Sequence, residues 1–557
     1  MGVPSLFRSI VKKYPECYFS KNNDQVDHLY LDYNCLIHHC VNTISHNDDS
    51  HTRDIEEDII SKVISYTNHI ICDVIKPRNL VYIAIDGPVP MGKIEQQRKR
   101  RYKKIQDDAF IKKLKEKHNV PISNTFNSNK ITPGTVFMNK LCNRIKNLIS
   151  LNAFSTHVTT NKFFVFFSDS NTPGEGEHKI LNFLRNSTNN PKVVIYGLDA
   201  DLIILSMQSD CNIKLLREPQ NTSSEIHDFH TENEFIYIDI EKYTSAFINE
   251  FNLCSYDKKR ILQDITLVSF FGGNDFVEPF INTRIRDKNN FMKLIGIYVT
   301  TMFKLQDYFI DTDSHINIVF LKHFVLEIST LEDSFVKKKS FSAFQRHDDV
   351  NLPTYESELQ NYYHSLFTNI NNPFHDYYKS TMSNSINYKL PHASWKKQYY
   401  QHFCEKVDID TICKDYLTSL EWTYKYYMQD GVPSWDVYYM HRVAPCASDF
   451  IDYLRRIEYK STVFQTGDII SPIEQLLIVT PIQNCNILPW AFQFIYKEMP
   501  SIKFQLDAVK GAKNIYSDPV LPDIDRQEIK ALMRNVPVTE IENKRNTIKN
   551  KIFCMKF

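Results

Sequence analysis

The apolar residues of this chain gather in short unbroken runs, separated by longer stretches whose polar and apolar positions repeat with a helical period. Four runs stand within the first 210 residues: HLYLD, LVYIAID, FFVFFSD and VVIYGLD, ending at Asp32, Asp86, Asp169 and Asp199. Runs of this length without internal alternation read as strands buried on both faces, which is the mark of parallel pairing. The stretches between them read as covering helices. The pattern predicts an α/β fold with a mostly parallel central sheet flanked by helices. A fifth run, ITLVSFFGG, precedes Asp275 and suits a helix or a strand equally.

In such a sheet the ligand crevice lies beyond the carboxyl ends of the strands, so these acids fall where a site is expected. An Asp just after a strand is also common as a turn former or as the N-cap of the next helix, so a single one carries little. Here the arrangement recurs in five segments, and two carry paired acids, Glu175-Gly-Glu177 and Asp199-Ala-Asp201. In an extended segment residues i and i+2 point the same way, so each pair directs two carboxylates into one crevice. Asp32, Asp86, Glu175, Glu177, Asp199, Asp201 and Asp275 packed together repel unless cations sit among them. Hard oxygen ligands without His or Cys suit Mg²⁺ or Mn²⁺, and two such ions can activate water and steady the leaving oxygen of a phosphodiester. The residues read to this point give a two-metal nuclease or a phosphatase.

Directly after Asp86 the chain becomes basic. From Lys93 to His118 there are eleven Lys or Arg against four Asp or Glu, and Pro88, Pro90 and Gly92 bound the start of a predicted helix. Lys93, Gln97, Arg100 and Arg101 fall at i, i+4, i+7 and i+8 and share one face. That face offers an ammonium, an amide and two guanidinium forks, a set suited to a terminal phosphate, although most charge runs are simply solvated faces.

Composition adds limits. The 557 residues allow two to four domains or one large α/β body, and 42% hydrophobic with 24% charged residues is an ordinary globular balance. Lys+Arg and Asp+Glu are equal at 66 each, so any nucleic-acid binding must come from segregated charge. Twelve cysteines without a Cys-x-x-Cys pair argue against a zinc module and a secreted disulfide framework, and read as reduced thiols of an intracellular protein. The opening MGVPSLFRSIVKK lacks the apolar core of a secretory signal, and Leu6 stands where a myristoylation motif needs Ser or Thr. No apolar run approaches the ~18 residues of a membrane helix.

Taken in order, MGVPSLFR, LYLDYNCLIH, DGPVPMGKIEQQRKRRY, SDSNTPGEGEHKI, YGLDADLIIL and FFGGNDFVEP resemble the successive blocks of the Xrn family of 5′→3′ exoribonucleases. LEWTYKYYMQDGVPSWDVYYMHRVAP resembles the family's second conserved region, and SPIEQLLIVTP its continuation. The resemblance covers roughly residues 1–290 and 391–525. It implies a nuclease core of the PIN or flap-nuclease kind over 1–290, with the metal site and a 5′-phosphate pocket. A variable helical linker follows over 291–390, a second helical region over 391–530 packs against the core and completes an RNA channel, and 531–557 forms a tail, read as a loosely held helix or basic arm. It implies that the seven acids hold the metals, two Mg²⁺ with Mn²⁺ able to substitute, and that Lys93, Gln97, Arg100 and Arg101 bind a 5′-monophosphate. His38 resembles the histidine that stacks on the terminal base and Trp435 the tryptophan that stacks further along; taken alone, each reads as a core residue.

The implied activity is processive hydrolysis of 5′-monophosphorylated single-stranded RNA to nucleoside 5′-monophosphates, by a monomer in the cytoplasm. There are departures. Val437 stands where the family carries a further tryptophan, and YYMHRVAP alters its YYPYHYAP-like element, which touches the 3′ side of the RNA channel rather than the metal site. The chain stops at Phe557, without the long C-terminal extensions of large members, and reads as a compact catalytic body. A flap-type DNA nuclease would share the acids, but VEPFINTRIRDKNNF lacks the glycine pattern of its duplex-gripping helix–turn–helix. A catalytically inactive RNA-binding protein would be expected to have lost ligands, and all seven are present.

Overall fold

A computed structural model of the chain describes residues 13–44, 54–121, 126–155, 163–187, 190–219, 234–285, 289–336, 354–364, 393–404, 407–498, 501–507 and 514–557. The four apolar runs become β2 (His28–Asp32), β3 (Leu80–Ala84), β4 (Phe164–Ser168) and β5 (Lys192–Tyr196). With β1 (Tyr18–Phe19), β6 (Asn212–Arg217), β7 (Ile236–Asp239) and the C-terminal β10 (Phe553–Lys556) they build an eight-stranded sheet. Its order is β1-β7-β6-β5-β2-β3-β4-β10. β8 (Leu506–Asp507) and β9 (Asp518–Pro519) pair separately.

The five central strands, β6-β5-β2-β3-β4, run parallel; β1, β7 and β10 add antiparallel edges. Successive residues of the central strands enter opposite apolar layers. Tyr30, Tyr82 and Ile195 lie in one, with Leu29, Leu31, Val81, Ile83 and Val194 in the other, so the runs need no polar alternation. From β2 the chain moves through β3 to β4 on one side, then crosses to β5 and β6 on the other. The reversal falls between β2 and β5, at whose carboxyl ends Asp32 and Asp199 stand. This is the topological switch point at which open α/β sheets form a crevice.

The fifth run is helical: ITLVSF ends the helix Lys258–Phe270, so Asp275 reaches the site from a helix-to-loop exit rather than a strand. The basic segment is one 27-residue helix, Met91–Lys117, started by Pro90. It is not wholly solvated. Met91, Ile94, Arg98 and Tyr102 are buried, and Arg98 Nη1 donates to the Pro522 carbonyl at 2.8 Å. Met91 and Ile94 pack with Val89, Trp435, Ile470, Ile478 and Val479, so the second helical region is joined to the helix at its base.

Within the expected linker, the helices Asn290–Leu305 and Ile318–Thr330 share one apolar cluster with β2, β5 and the helix Ile409–Met428. The expected tail holds the helix Glu540–Asn546, with a Thr539–Glu542 capping box, followed by β10 paired to β4. It is fixed to the sheet rather than loose. Among the described residues no helix is long and apolar enough to cross a membrane.

Candidate active site

Asp32 is the last residue of β2 and Asp86 lies two residues beyond β3. Glu175 is the N-cap of the helix Gly176–Arg185, and Glu177 lies in its first turn. Asp201 opens the short helix Asp201–Ser206 two residues after Asp199. The paired acids are therefore at helix starts, not in extended segments, and helix N-termini favour carboxylates by their exposed amides. Asp86 illustrates this: Gly176 N–H donates to its Oδ1 at 2.6 Å. Asn34 holds it from the other side, Nδ2 donating to Oδ2 at 2.8 Å while Asn34 Oδ1 accepts from Asp86 N–H at 3.2 Å.

Several of the seven acids raise one another's pKa. Burial, reinforced by Asp86, pushes the Asp32 carboxyl up to about 8. Burial and Asp275 push Asp201 up to about 7. Burial, Asp201 and Glu175 carry Glu177 well above the usual carboxylate range, and burial and Glu175 raise Asp86. Such a cluster carries more negative charge than its own cations neutralise.

Among the described residues the cation that contacts the cluster directly is Lys93. Its Nζ lies 2.5 Å from Glu175 Oε2 and 2.8 Å from Asp275 Oδ2, and Gln96 Nε2 donates to Asp275 Oδ1 at 3.0 Å. Burial disfavours the ammonium, but Asp275 and Glu175 override it and raise its pKa well above the ordinary value. Burial likewise opposes the Asp275 anion, and Lys93 holds that carboxyl well below its usual range. Tyr426 donates its hydroxyl to Glu175 Oε1 at 2.9 Å and Tyr427 donates to Asp201 Oδ2 at 3.3 Å. The His178 ring lies 4.1 Å from that of Tyr426, closing the site with an aromatic wall.

The expected phosphate face is thus divided. Lys93 turns into the acids, Gln97 accepts from Gln475 Nε2 at 3.2 Å, and Arg101 Nη2 donates to Thr132 Oγ1 at 2.6 Å. Arg100 is exposed and lines, with Gln96, Asp275 and Tyr438, a cleft of about 230 Å³. His38 is exposed on the helix Tyr33–Ile44 that follows Asp32. Trp435 is only 4% exposed, and Met91 N–H donates to its carbonyl at 3.0 Å, so its ring packs at the base of the basic helix. Asp169, the other strand-end acid, takes no part in the cluster; it pairs with Lys146 and Lys549 at 2.5 and 2.6 Å.

Asn34, Gln96, Tyr426, Tyr427 and Gln475 were not singled out by the sequence reading. The adjacent tyrosines at the end of the helix Ile409–Met428 were the one available signal. Among the described residues no group of three or more His, Cys, Asp or Glu side chains is already arranged to hold a metal ion. Cys35 Sγ donates to Asp32 Oδ2 at 3.0 Å, and Lys93 occupies the space between Glu175 and Asp275.

A mostly parallel sheet that delivers carboxylates to one crevice at its switch point defines the PIN-like class of α/β folds. The family model described as "XRN 5′-3′ exonuclease N-terminus" matches residues 1–219, and that described as "Xrn1 helical domain" matches 255–365 and 376–556, more than half of the chain. The chain belongs to the Xrn family. Human 5′-3′ exoribonuclease 1 is 28% identical over 620 aligned residues, which take in 100% of this chain and 35% of the human protein. The Saccharomyces cerevisiae protein of the same name is 28% identical over 632 residues, with 90% and 40% covered. Gallus gallus 5′-3′ exoribonuclease 2 is 26% identical over 697 residues, with 98% and 71% covered. The chain spans between a third and a half of the length of the exoribonuclease 1 relatives it matches.

Proposed function

We propose that the chain is a metal-dependent, processive 5′→3′ exoribonuclease that removes nucleoside 5′-monophosphates one at a time from single-stranded RNA bearing a 5′-monophosphate. The observation that carries this reading is the state of Arg101. Its guanidinium is buried, burial and Arg100 lower its pKa to about 9, and its Nη1 has no hydrogen-bond partner among the described residues. A buried cation with an orphan donor, next to Arg100 in the chain, one helical turn from Gln97 and two from Lys93, is stabilised by an anion. A terminal phosphate supplies that charge, whereas a cap or triphosphate adds bulk where a closed pocket has no room.

Asp32, Asp86, Glu175, Glu177, Asp199, Asp201 and Asp275 are the residues that would hold the metal. Their donors are all oxygen, and Glu177 Oε2 is buried with no hydrogen-bond partner among the described residues, which suits hard cations such as Mg²⁺ or Mn²⁺. Bound there, two divalent ions supply a water activated for attack and charge neutralisation at the leaving oxygen.

The protein's own groups do the rest. Gln97 and Arg101, oriented by Gln475 and Thr132, seat the 5′-phosphate together with Arg100. Lys93 links this seat to the cluster, so recognition of the end and hydrolysis of the bond share one helix. His38 stacks on the terminal base, a contact that accepts any base. Trp435 joins it only if its packing against the basic helix loosens. The core over 1–290, the helical segment 291–390 and the region 391–530 act as one channel-forming body closed by residues 531–557.

The test digests one labelled RNA carrying a 5′-monophosphate, a 5′-triphosphate or a 5′-hydroxyl, with and without EDTA. The expected result is stepwise loss from the 5′ end of the monophosphorylated form only, abolished by EDTA and by Asp86→Ala or Asp199→Ala. Equal decay of all three forms, or undiminished decay in either variant, refutes the reading. Faster cleavage of a flap DNA would point to a structure-specific DNA nuclease, and RNA retained without decay in Mg²⁺ to an inactive binder.

A further inference from the structure

The tail and the acidic loop meet at Asp169. This carboxylate is 2% exposed and accepts from Lys146 Nζ, Lys549 Nζ and Asn171 N–H at 2.5, 2.6 and 3.0 Å. Asn171 extends the contact: its Nδ2 donates to the carbonyls of Arg545 and Thr547 at 2.8 Å each, and its own carbonyl accepts from Lys549 N–H at 3.0 Å. Lys549 thus grips the start of the loop through both its ammonium and its backbone. Four residues beyond Asn171 is Glu175.

The far end of the loop is tied to the Asp86 segment. Gly174 N–H donates to the Pro88 carbonyl at 2.8 Å and Gly87 N–H to the Gly174 carbonyl at 2.9 Å. Lys179 Nζ donates to the carbonyls of Ile85 and Asp169 at 2.6 and 3.3 Å. The strap from Asp169 to Glu177 is therefore held to the core through Lys146, Lys179 and the Gly87–Gly174 contact, and to the tail through Lys549.

Carboxylates that repel one another separate unless the backbone beneath them is held. Glu175 and Glu177 ride on this strap, and the other five acids stand at or just after strand ends, at a helix start and after a helix exit of the core. We propose that Lys549, through Asp169 and Asn171, is a positioning residue that holds Glu175 and Glu177 together for metal binding, so that the C-terminal segment sets the metal affinity of the site. The proposal rests on the assignment of these acids as metal ligands. Lys549 then acts on ligand convergence rather than on RNA contacts, since among the described residues its hydrogen-bond partners are Asp169 and Asn171, not the basic face or the aromatic wall.

The test uses the full chain and three variants, Lys549→Gln, Lys549→Arg and Met555→Pro. Met555 lies opposite Val165 on the edge strand, so proline there loosens the tail while every acid and Lys549 remain in place. Mn²⁺ binding is read by electron paramagnetic resonance, and RNA decay is followed across a Mg²⁺ titration. Lys549→Gln and Met555→Pro are expected to weaken Mn²⁺ binding about tenfold, the effect of losing an outer residue that orients ligands. The half-saturating Mg²⁺ concentration should rise by the same factor. The rate at saturating Mg²⁺ and the KM for RNA of Lys549→Gln should stay near wild type. Its melting temperature should fall only by the cost of the lost Asp169 ion pair and not account for the metal effect, and Lys549→Arg should restore most of the affinity. Equal Mn²⁺ affinity in all forms, or no Mn²⁺ binding by the wild type, overturns the proposal. A wild type that binds Mn²⁺ but leaves RNA intact counts against the exoribonuclease reading alone, and the Mn²⁺ titration still decides the role of Lys549.

Discussion

Lys93 Nζ and Glu175 Oε2 lie 2.5 Å apart, so a residue expected to face a phosphate also neutralises a residue expected to face a metal. Removing the ammonium leaves Glu175 and Asp275 without their buried counter-charge. Lys93→Gln is expected to cost about 3 kcal/mol of stability in the absence of divalent metal, as breakage of a buried pair does. Mg²⁺ should raise the melting temperature of this variant by more than that of the wild type, because the ion takes over the missing charge. Thermal melts of both forms across a Mg²⁺ titration check this, and an equal shift would remove Lys93 as the resident counter-charge.

Gly176 has no room for a side chain. A Cβ there would lie 2.8 Å from Asp32 Oδ1 and 3.0 Å from the Ala84 carbonyl, both anchored in the sheet. Gly176→Ala must therefore displace the helix start that carries Glu175 and Glu177. The expected outcome is a loss of about 1–3 kcal/mol of stability, the usual cost of overpacking. Activity at sub-saturating Mg²⁺ should fall at least as far as that of the Lys549→Gln variant. Urea melts and RNA decay rates measured on one preparation test it; wild-type activity would mean the cluster tolerates the shift.

The two aromatic candidates separate cleanly by burial. Trp435→Ala empties a packed site between the basic helix and the second region, and should cost about 3–5 kcal/mol of stability. His38→Ala, at an exposed position, should change stability by less than about 0.5 kcal/mol. It should weaken binding of single-stranded RNA by about 1–3 kcal/mol. Filter binding and thermal melts on both variants distinguish a stacking residue from a core one.

The Asp169 clamp has a pH signature. Burial opposes its anion, but the hydrogen bonds from Lys146 and Lys549 prevail and hold its pKa below the ordinary value. A carboxyl lowered on folding contributes stability that is full above its unfolded pKa of about 3.9 and is lost as pH falls through the lower folded value. The stability gap between wild type and Asp169→Asn should thus be constant from about pH 5 to 8 and shrink below about pH 4. A gap that widens on acidification would show that the ion pairs do not stabilise the fold.

Much of this molecule was legible in the chain. HLYLD, LVYIA, FVFFS and KVVIY became β2 to β5 because strands buried on both faces need no polar alternation to mark them. The acids were legible because strand and helix ends fix where a crevice forms. Their sorting was not: Asp169 follows β4 much as Asp86 follows β3, yet its partner Lys549 lies far along the chain, where no local pattern reaches. For the same reason the helical face of Lys93, Gln97, Arg100 and Arg101 could be read, but not the inward turn of Lys93 towards Asp275. The tail was misjudged as loose because Lys and Asn dominate its composition, while what fixes it is backbone pairing of β10 with β4, which composition does not encode.

That edge strand gives the protein a timetable. A chain made from its N-terminus completes β2 to β5, the basic helix and all seven acids long before residues 549 to 556 leave the ribosome. Until they emerge, the sheet lacks its last edge and the loop bearing Glu175 and Glu177 lacks one of its anchors. A partly made chain would thus be the least able to bind metal, and competence would arrive only once residues 549 to 556 have joined the sheet.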